Sequence, residues 1–271
     1  MAQYADLKAY YAEHFLPIVK TPLLGQTSDG DSRRRAAAER LLNSQEGERF
    51  RINHDNFTLS GRIDRSDDGT PTCLNICSQD WIHDAKKLSY PLDHATRRLC
   101  LGGHTAHMND LLLVKNEFSP FEHGLREEDV IRRDRQNFGS AQRLFFPRVQ
   151  SCLARLENGA HGNRHYDVKG TRVYLHICFM FVEIYCSQSL SLYMRVVYAS
   201  CVANFLRIWR WWVHRTAGLN LKDNFLTRQC YTDVLISCHS VVLHIKAARE
   251  FTPNTVRAFT YSIIQIIICK L

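Results

Sequence analysis

Leu74-Asn75-Ile76-Cys77-Ser78-Gln79-Asp80-Trp81-Ile82-His83-Asp84-Ala85-Lys86-Lys87-Leu88 is the stretch on which the fold turns. Leu74 to Cys77 reads as a short strand, and Trp81 to Tyr90 reads as a helix that Pro91 closes. Asp80 therefore sits just past a strand end, three residues before His83, and the two can share one helical face. An Asp at a strand end with a nearby His suits metal binding or phosphate positioning. A capping Asp beside a structural His is the plain alternative, and the stretch alone leaves both open.

Upstream, the alternation at Phe57 and Leu59 and the turn Ser66-Asp67-Asp68-Gly69 predict a hairpin-like β segment within Phe50 to Thr72. Residues 1–25 predict a short helix (Leu7, Tyr10, Tyr11, His14, Phe15) that Pro17 stops, then an edge or irregular extended run from Leu16 to Leu24. Gln26 to Ser32 consists of turn formers, and Arg33 to Asn43 reads as a helix capped by Ser32. In Ser28-Asp29-Gly30-Asp31-Ser32, two carboxylates share a Gly-containing loop, an arrangement that suits a hard cation such as Mg²⁺. Taken alone, these residues are more simply a helix N-cap with dipole-favoured acids, followed by a solvated cluster of Arg33, Arg34 and Arg35.

Downstream of Gly102-Gly103 the character changes. His104–Phe118, Glu127–Asn137, Ser140–Leu156, Arg172–Ser187, Ser191–Arg215 and Arg228–Glu250 carry apolar residues at helical spacing, with Pro147 kinking one helix or marking its first turn. The expected class is α+β, predominantly helical. Three regions follow: an α/β part over 1–103, a helical block over 104–252 and an apolar tail over 253–271.

Composition narrows the partners. The 271 residues are 45% hydrophobic and 23% charged, enough to bury a substantial core. The formal charge of +8 biases the chain toward a polyanion, because lysines and arginines on phosphates release condensed counterions. Ten cysteines are scattered rather than packed into a loop framework, which predicts reduced thiols and a nuclear or cytoplasmic protein. Met1 to Lys20 contains Asp6, Lys8 and Glu13 and does not read as a signal peptide. Charges interrupt every later apolar stretch, so no membrane span is expected. Cys73, Cys77, His83, His94, Cys100, His104 and His107 cluster in sequence, but Cys73-x₃-Cys77 fits only the first half of a zinc site and Cys100-x₃-His104 fits the second half loosely, which argues against zinc.

Phe205-Leu206-Arg207-Ile208-Trp209-Arg210-Trp211-Trp212-Val213-His214-Arg215 interleaves cations with aromatic rings, and no acid occurs between Glu183 and Asp223. Val197, Cys201, Phe205, Ile208 and Trp212 form a stripe at spacings of three and four, which is expected to be core. That leaves the face bearing Arg207, Arg210 and Arg215 for nucleic acid. A second basic set comprises Arg132, Arg133, Arg135, Arg143, Arg148 and Arg155, opposed within its span only by Asp134. It lines the same groove or is a solvated helix surface.

Read in order, five segments resemble transposon-derived, transposase-like proteins of animal genomes, distantly similar to P-element-type transposases. They are Ser28 to Arg35, Gln79 to Leu88, Asp134-Arg135-Gln136-Asn137-Phe138, Phe205 to Trp212, and Asn224-Phe225-Leu226-Thr227-Arg228 with Tyr231. The resemblance covers roughly residues 20–252. It implies a partial RNase H-like mixed sheet interrupted by a large all-α insertion, with strand-end carboxylates holding Mg²⁺ or Mn²⁺ for in-line attack on a phosphodiester. It makes Asp80 and His83 the second acid and its companion, and Asp29 or Asp31 the first acid, so that Asp29, Asp31 and Asp80 are the metal ligands. Arg33 to Arg35, Lys86, Lys87, Arg132, Arg133, Arg135, Arg207, Arg210 and Arg215 become the DNA contacts, and self-association stays open. The stretch from Thr255 to Leu271, crowded with isoleucines, departs from the family, and no third acid is placed before it. The expectation is thus a truncated, catalytically incomplete transposase, or alternatively a non-catalytic nucleic-acid-binding or helical interaction module of the same origin.

Overall fold

The computed structural model describes residues 13, 23–28, 48–53, 58–65, 67–69, 71–131, 136–159 and 164–251. These belong to two compact units. One is built from the described parts of 1–80 and 239–251, the other from Trp81 to Cys238.

The first unit holds a four-stranded mixed sheet of β1 (Leu23–Ser28), β2 (Glu48–Asn53), β3 (Thr58–Arg65) and β4 (Pro71–Gln79), in the order β1-β4-β3-β2. β2, β3 and β4 form an antiparallel meander, and β1 runs parallel to β4. The turn between β3 and β4 contains Asp67, Asp68 and Gly69, with Gly69 at φ +81, a left-handed conformation that glycine adopts without a Cβ clash. This is the predicted hairpin. β1 corrects the reading of Gln26 to Ser28 as turn formers, since these three residues pair with Cys77, Ser78 and Gln79, while residues 29–32 lie outside the described residues. Ladder hydrogen bonds to a neighbouring strand outweigh the weak intrinsic preference of these polar residues.

The helical unit begins with α1 (Trp81–Ser89) and a 3₁₀ turn (Tyr90–Asp93) that contains Pro91. A short hairpin follows, β5 (Leu99–Leu101) and β6 (His104–Ala106), turning on Gly102 and Gly103. The helical block was expected to begin at His104. Instead His104 to Ala106 is strand, because Leu99 and Ala106 pair across the hairpin and are both buried. Then come α2 (Met108–Glu117), α3 (Pro120–His123), α4 (Glu127–Val130), α5 (Phe138–Phe145), α6 (Pro147–Glu157), α7 (Lys169–Cys186), α8 (Leu192–Arg215), α9 (Leu221–Asn224) and α10 (Arg228–Phe251), of which the residues up to Cys238 belong to this unit. Pro147 opens α6, where its missing N–H would have had no partner in any case. The single predicted helix from Ser140 to Leu156 is accordingly two.

α7 is the centre of the unit and packs against α1, α5, α6, α8 and β6. Tyr174, Leu175, Cys178, Phe181, Val182 and Tyr185 put a continuous apolar stripe on it, all buried. The Tyr174 hydroxyl donates to the Leu88 carbonyl at 2.5 Å, and the Tyr185 hydroxyl donates to that of Ser237 at 2.9 Å. Each ring is therefore buried with its polar end satisfied. Trp81 stacks on Tyr185 at 5.2 Å and meets Phe138 edge-on at 5.3 Å, joining α1 to the core. Among the described residues no helix is long and apolar enough to cross a membrane.

Candidate functional site

β1 ends at Ser28 and β4 ends at Gln79, and these two residues are register partners in the parallel pair. In the chain, Asp29 follows Ser28 and Asp80 follows Gln79. Neighbouring parallel strands thus finish side by side, each with an aspartate as the next residue. Asp80 is half-buried, and His83 lies half-buried in the first turn of α1. Asp29, Asp31, Arg33, Arg34 and Arg35 lie outside the described residues, as do Arg132, Arg133 and Arg135. Among the described residues, no group of three or more His, Cys, Asp or Glu gathers around a common point.

Four of the residues considered for zinc, His94, Cys100, His104 and His107, have hydrogen-bond partners within the described residues. Nδ1 of His94 accepts from the backbone N–H groups of Thr96 and Arg97, and Nδ1 of His107 caps α2 by accepting from Asn109 N–H. His104 Nδ1 lies 2.6 Å from Asp167 Oδ1. The thiol of Cys100 donates to the Arg98 carbonyl and accepts from the Asn224 amide. The seven cysteines whose side chains are described are free thiols, and burial pushes that of Cys186 up to about 11.

The basic residues divide into two kinds. Lys87 is committed, its ammonium 2.8 Å from the fully buried carboxylate of Asp233. Lys86 donates to the Gln136 side chain at 3.2 Å. Arg143 and Arg155, which face almost no acid within their own span, are neutralised from outside it. Arg143 pairs with Asp129 and Arg155 with Glu122, at 2.6 and 2.7 Å. Glu122 is held down at about 2, first by the Arg155 hydrogen bond and then by those from Ser119. Arg195 is buried, and its guanidinium caps the C-terminal end of α7 by donating to the carbonyls of Ile184 and Ser187.

Of the predicted α8 set, Arg210 lies 5.5 Å from the Tyr231 ring. Arg207 and Arg215 are exposed. They occupy a helix that contains no acid.

The apolar stripe assigned to the core of α8 is not its core. α8 buries Arg195, Ala199, Val202, Ala203, Leu206, Trp209 and Val213, whereas Cys201 is exposed and Ile208 is 66% exposed. Both stripes have spacings of three and four, so periodicity could not separate them. Two features do. Ala199 and Ala203 are buried on the same side of α8, and the Trp209 indole N–H reaches the Cys100 carbonyl at 2.6 Å. The sequence signal for the correct face was the pair of alanines one turn apart. On the other side, Ile208 and Trp211 face solvent beside a hollow bounded also by Val173, Phe205 and Trp212.

The described parts thus make a mainly helical α+β protein with a small mixed sheet. No protein-family model and no curated protein sequence matches the chain. Among solved structures it is similar to a chain of the Drosophila P element transposase strand transfer complex, with a TM-score of 0.58 and 14% identity. The match covers 87% of this chain and 53% of the other, so the chain spans about half the length of that transposase. At this identity the likeness is one of fold.

Proposed function

We propose that the chain derives from a DNA transposase of the P-element type and that it binds DNA and a divalent cation. In this reading the sheet belongs to an RNase H-like core, and Asp80 with Asp29 or Asp31 supplies carboxylate oxygens to Mg²⁺ or Mn²⁺. His83 accompanies Asp80. The helical block is the insertion of that core, and DNA as the partner makes the nucleus the site of action.

One observation carries the reading: the Ser28 and Gln79 pairing, which finishes two parallel strands together with an aspartate next in sequence on each. The fold likeness to a transposase supports it, as does the net charge of +8. Hard divalent cations prefer carboxylate oxygens and keep several waters, so an aspartate next in sequence after each of two paired strand ends fits their chemistry. In the two-metal scheme the cations stabilise the attacking and the leaving oxygen of a phosphodiester displacement. Two aspartates form only part of the carboxylate set such a site uses, so cleavage requires a further acid, whereas cation and DNA binding do not.

The test is Mn²⁺ binding followed by electron paramagnetic resonance, alongside duplex-DNA affinity as a function of salt. The parent protein is expected to bind Mn²⁺, Asp80→Asn to weaken that binding roughly tenfold or more, and log affinity for duplex to fall linearly with log salt. Mn²⁺ binding that is absent, or unchanged in Asp80→Asn, sinks the cation site. Salt-independent or undetectable DNA binding sinks the DNA reading.

A further inference from the structure

The solvent-facing side of α8 combines features that the transposase reading does not use. Beside it lies a hollow of about 360 Å³, within the range of roughly 300–1,000 Å³ usual for ligand pockets, and walled mainly by Val173, Phe205, Ile208, Trp211 and Trp212. Trp211 is 61% exposed and Ile208 66% exposed, so two large apolar side chains stand in water at its mouth. Lys169, the first residue of α7, also lines the hollow and is exposed. Its ammonium forms no hydrogen bond or ion pair with the described residues. The other titratable group on the wall, His104, is already paired with Asp167.

Arg207, Ile208, Trp211, His214 and Arg215 are all exposed, at spacings of one, three and four along α8, so they form one helical face. Arginines and an indole thus alternate along the edge of an apolar hollow, on a helix without any acid. An apolar peptide or a second copy of the chain would make use of the tryptophans and leave three cations without purpose. A strand carrying both flat rings and phosphates uses both, because bases stack on aromatic side chains while the backbone tracks positive charge.

We propose that this hollow receives an unpaired base of single-stranded DNA. Trp211 stacks on the base, and Lys169 and Arg207 meet the flanking phosphates. The proposal rests on DNA being the partner, but the surface lies wholly within the helical unit and needs no cation.

The experiment compares the binding of fluorescent oligothymidylate and of a duplex of equal length to the full chain by anisotropy. Trp211→Ala is expected to weaken single-strand binding roughly tenfold while leaving duplex affinity within about twofold. Trp211→Phe, which keeps a stacking ring, is expected to restore most of the loss. Because Trp211 is exposed, melting temperature should not change, and this separates lost stacking from lost folding.

Equal losses on both ligands, or no loss on either, overturn the proposal while the DNA reading stands. Binding of neither ligand by the parent overturns both. A concentration-dependent dimer that Trp211→Ala dissociates would assign the hollow to a second copy and overturn the proposal as well.

Discussion

The guanidinium of Arg143 grips the Asp129 carboxylate with two parallel hydrogen bonds, Nε to Oδ2 at 2.7 Å and Nη2 to Oδ1 at 2.6 Å. Asp129 is wholly buried and also accepts from Arg126 N–H at 2.8 Å, so the pair fastens α4 to α5. Burial on its own would raise the Asp129 carboxyl. The Arg143 and Arg126 hydrogen bonds outweigh it and hold the group below its usual value.

The sign of the pH dependence follows. A carboxyl depressed in the folded state contributes stability that is present above its unfolded value, near 3.8, and is lost as pH falls through the folded value. Thermal melts between about pH 5 and pH 2 should show the parent losing stability more steeply than Asp129→Asn. At neutral pH, Arg143→Met should cost about 3 kcal/mol, since it leaves a buried carboxylate without its cation. Equal acid slopes for parent and Asp129→Asn would refute the assignment.

Lys87 separates structural charge from charge available to a ligand. Its ammonium neutralises Asp233, which is completely buried, so Lys87→Met should destabilise the protein by about 3–5 kcal/mol in urea denaturation. Lys87→Met combined with Asp233→Leu should recover most of that loss. In DNA titrations the double variant should keep the parent's salt slope, whereas Arg207→Ala should lower it by about one phosphate contact. A reduced slope in the double variant would mean that Lys87 does reach DNA.

Gly170 reverses an ordinary expectation. Within a helix, glycine to alanine normally stabilises by about 0.5–1 kcal/mol. Gly170 is the second residue of α7 and packs against the backbone of β6, where an added Cβ would lie 2.6 Å from the carbonyl carbon of Thr105 and nearer still to its oxygen. Gly170→Ala should therefore destabilise by about 1–3 kcal/mol, the usual cost of overpacking. A raised melting temperature would show that β6 yields without penalty.

Helices were legible where local signals agree. Ser191 before Leu192 and Pro147 at the start of α6 are capping or first-turn residues that act through the adjacent backbone, whereas Asn137, expected to end a helix from Glu127, instead caps α5, and α4 stops at Val130. β1 was misplaced because its polar residues become strand only through β4, whose pairing residues lie about fifty positions away. The β5–β6 hairpin was missed for a related reason: three-residue strands carry too few side chains for alternation to register. The buried face of α8 was misread because that helix carries large apolar residues on its exposed side as well, Ile208 and Trp211 among them. A composition of this kind shows that some face is buried, without showing which. For the candidate site, the strand end before Asp80 was legible locally, but its neighbour was not, since a parallel pairing leaves no local trace in either strand. The charge balance at Arg143 and Arg155 was misjudged because their acids lie 14 and 33 positions earlier, on other helices.

The stretch around the small hairpin depends on residues made much later. The Arg97 side chain, the Arg98 backbone and the Cys100 carbonyl take their partners from Lys222, Asp223, Asn224 and Trp209, which stand 109 to 126 positions further on. On the ribosome, a growing chain would wait on the order of ten seconds between releasing the first of these groups and the last. During that interval the Arg97 side chain and the Cys100 carbonyl lack these partners. A chain stalled before Trp209 would leave the hairpin without its indole contact and the side of α7 that faces α8 uncovered.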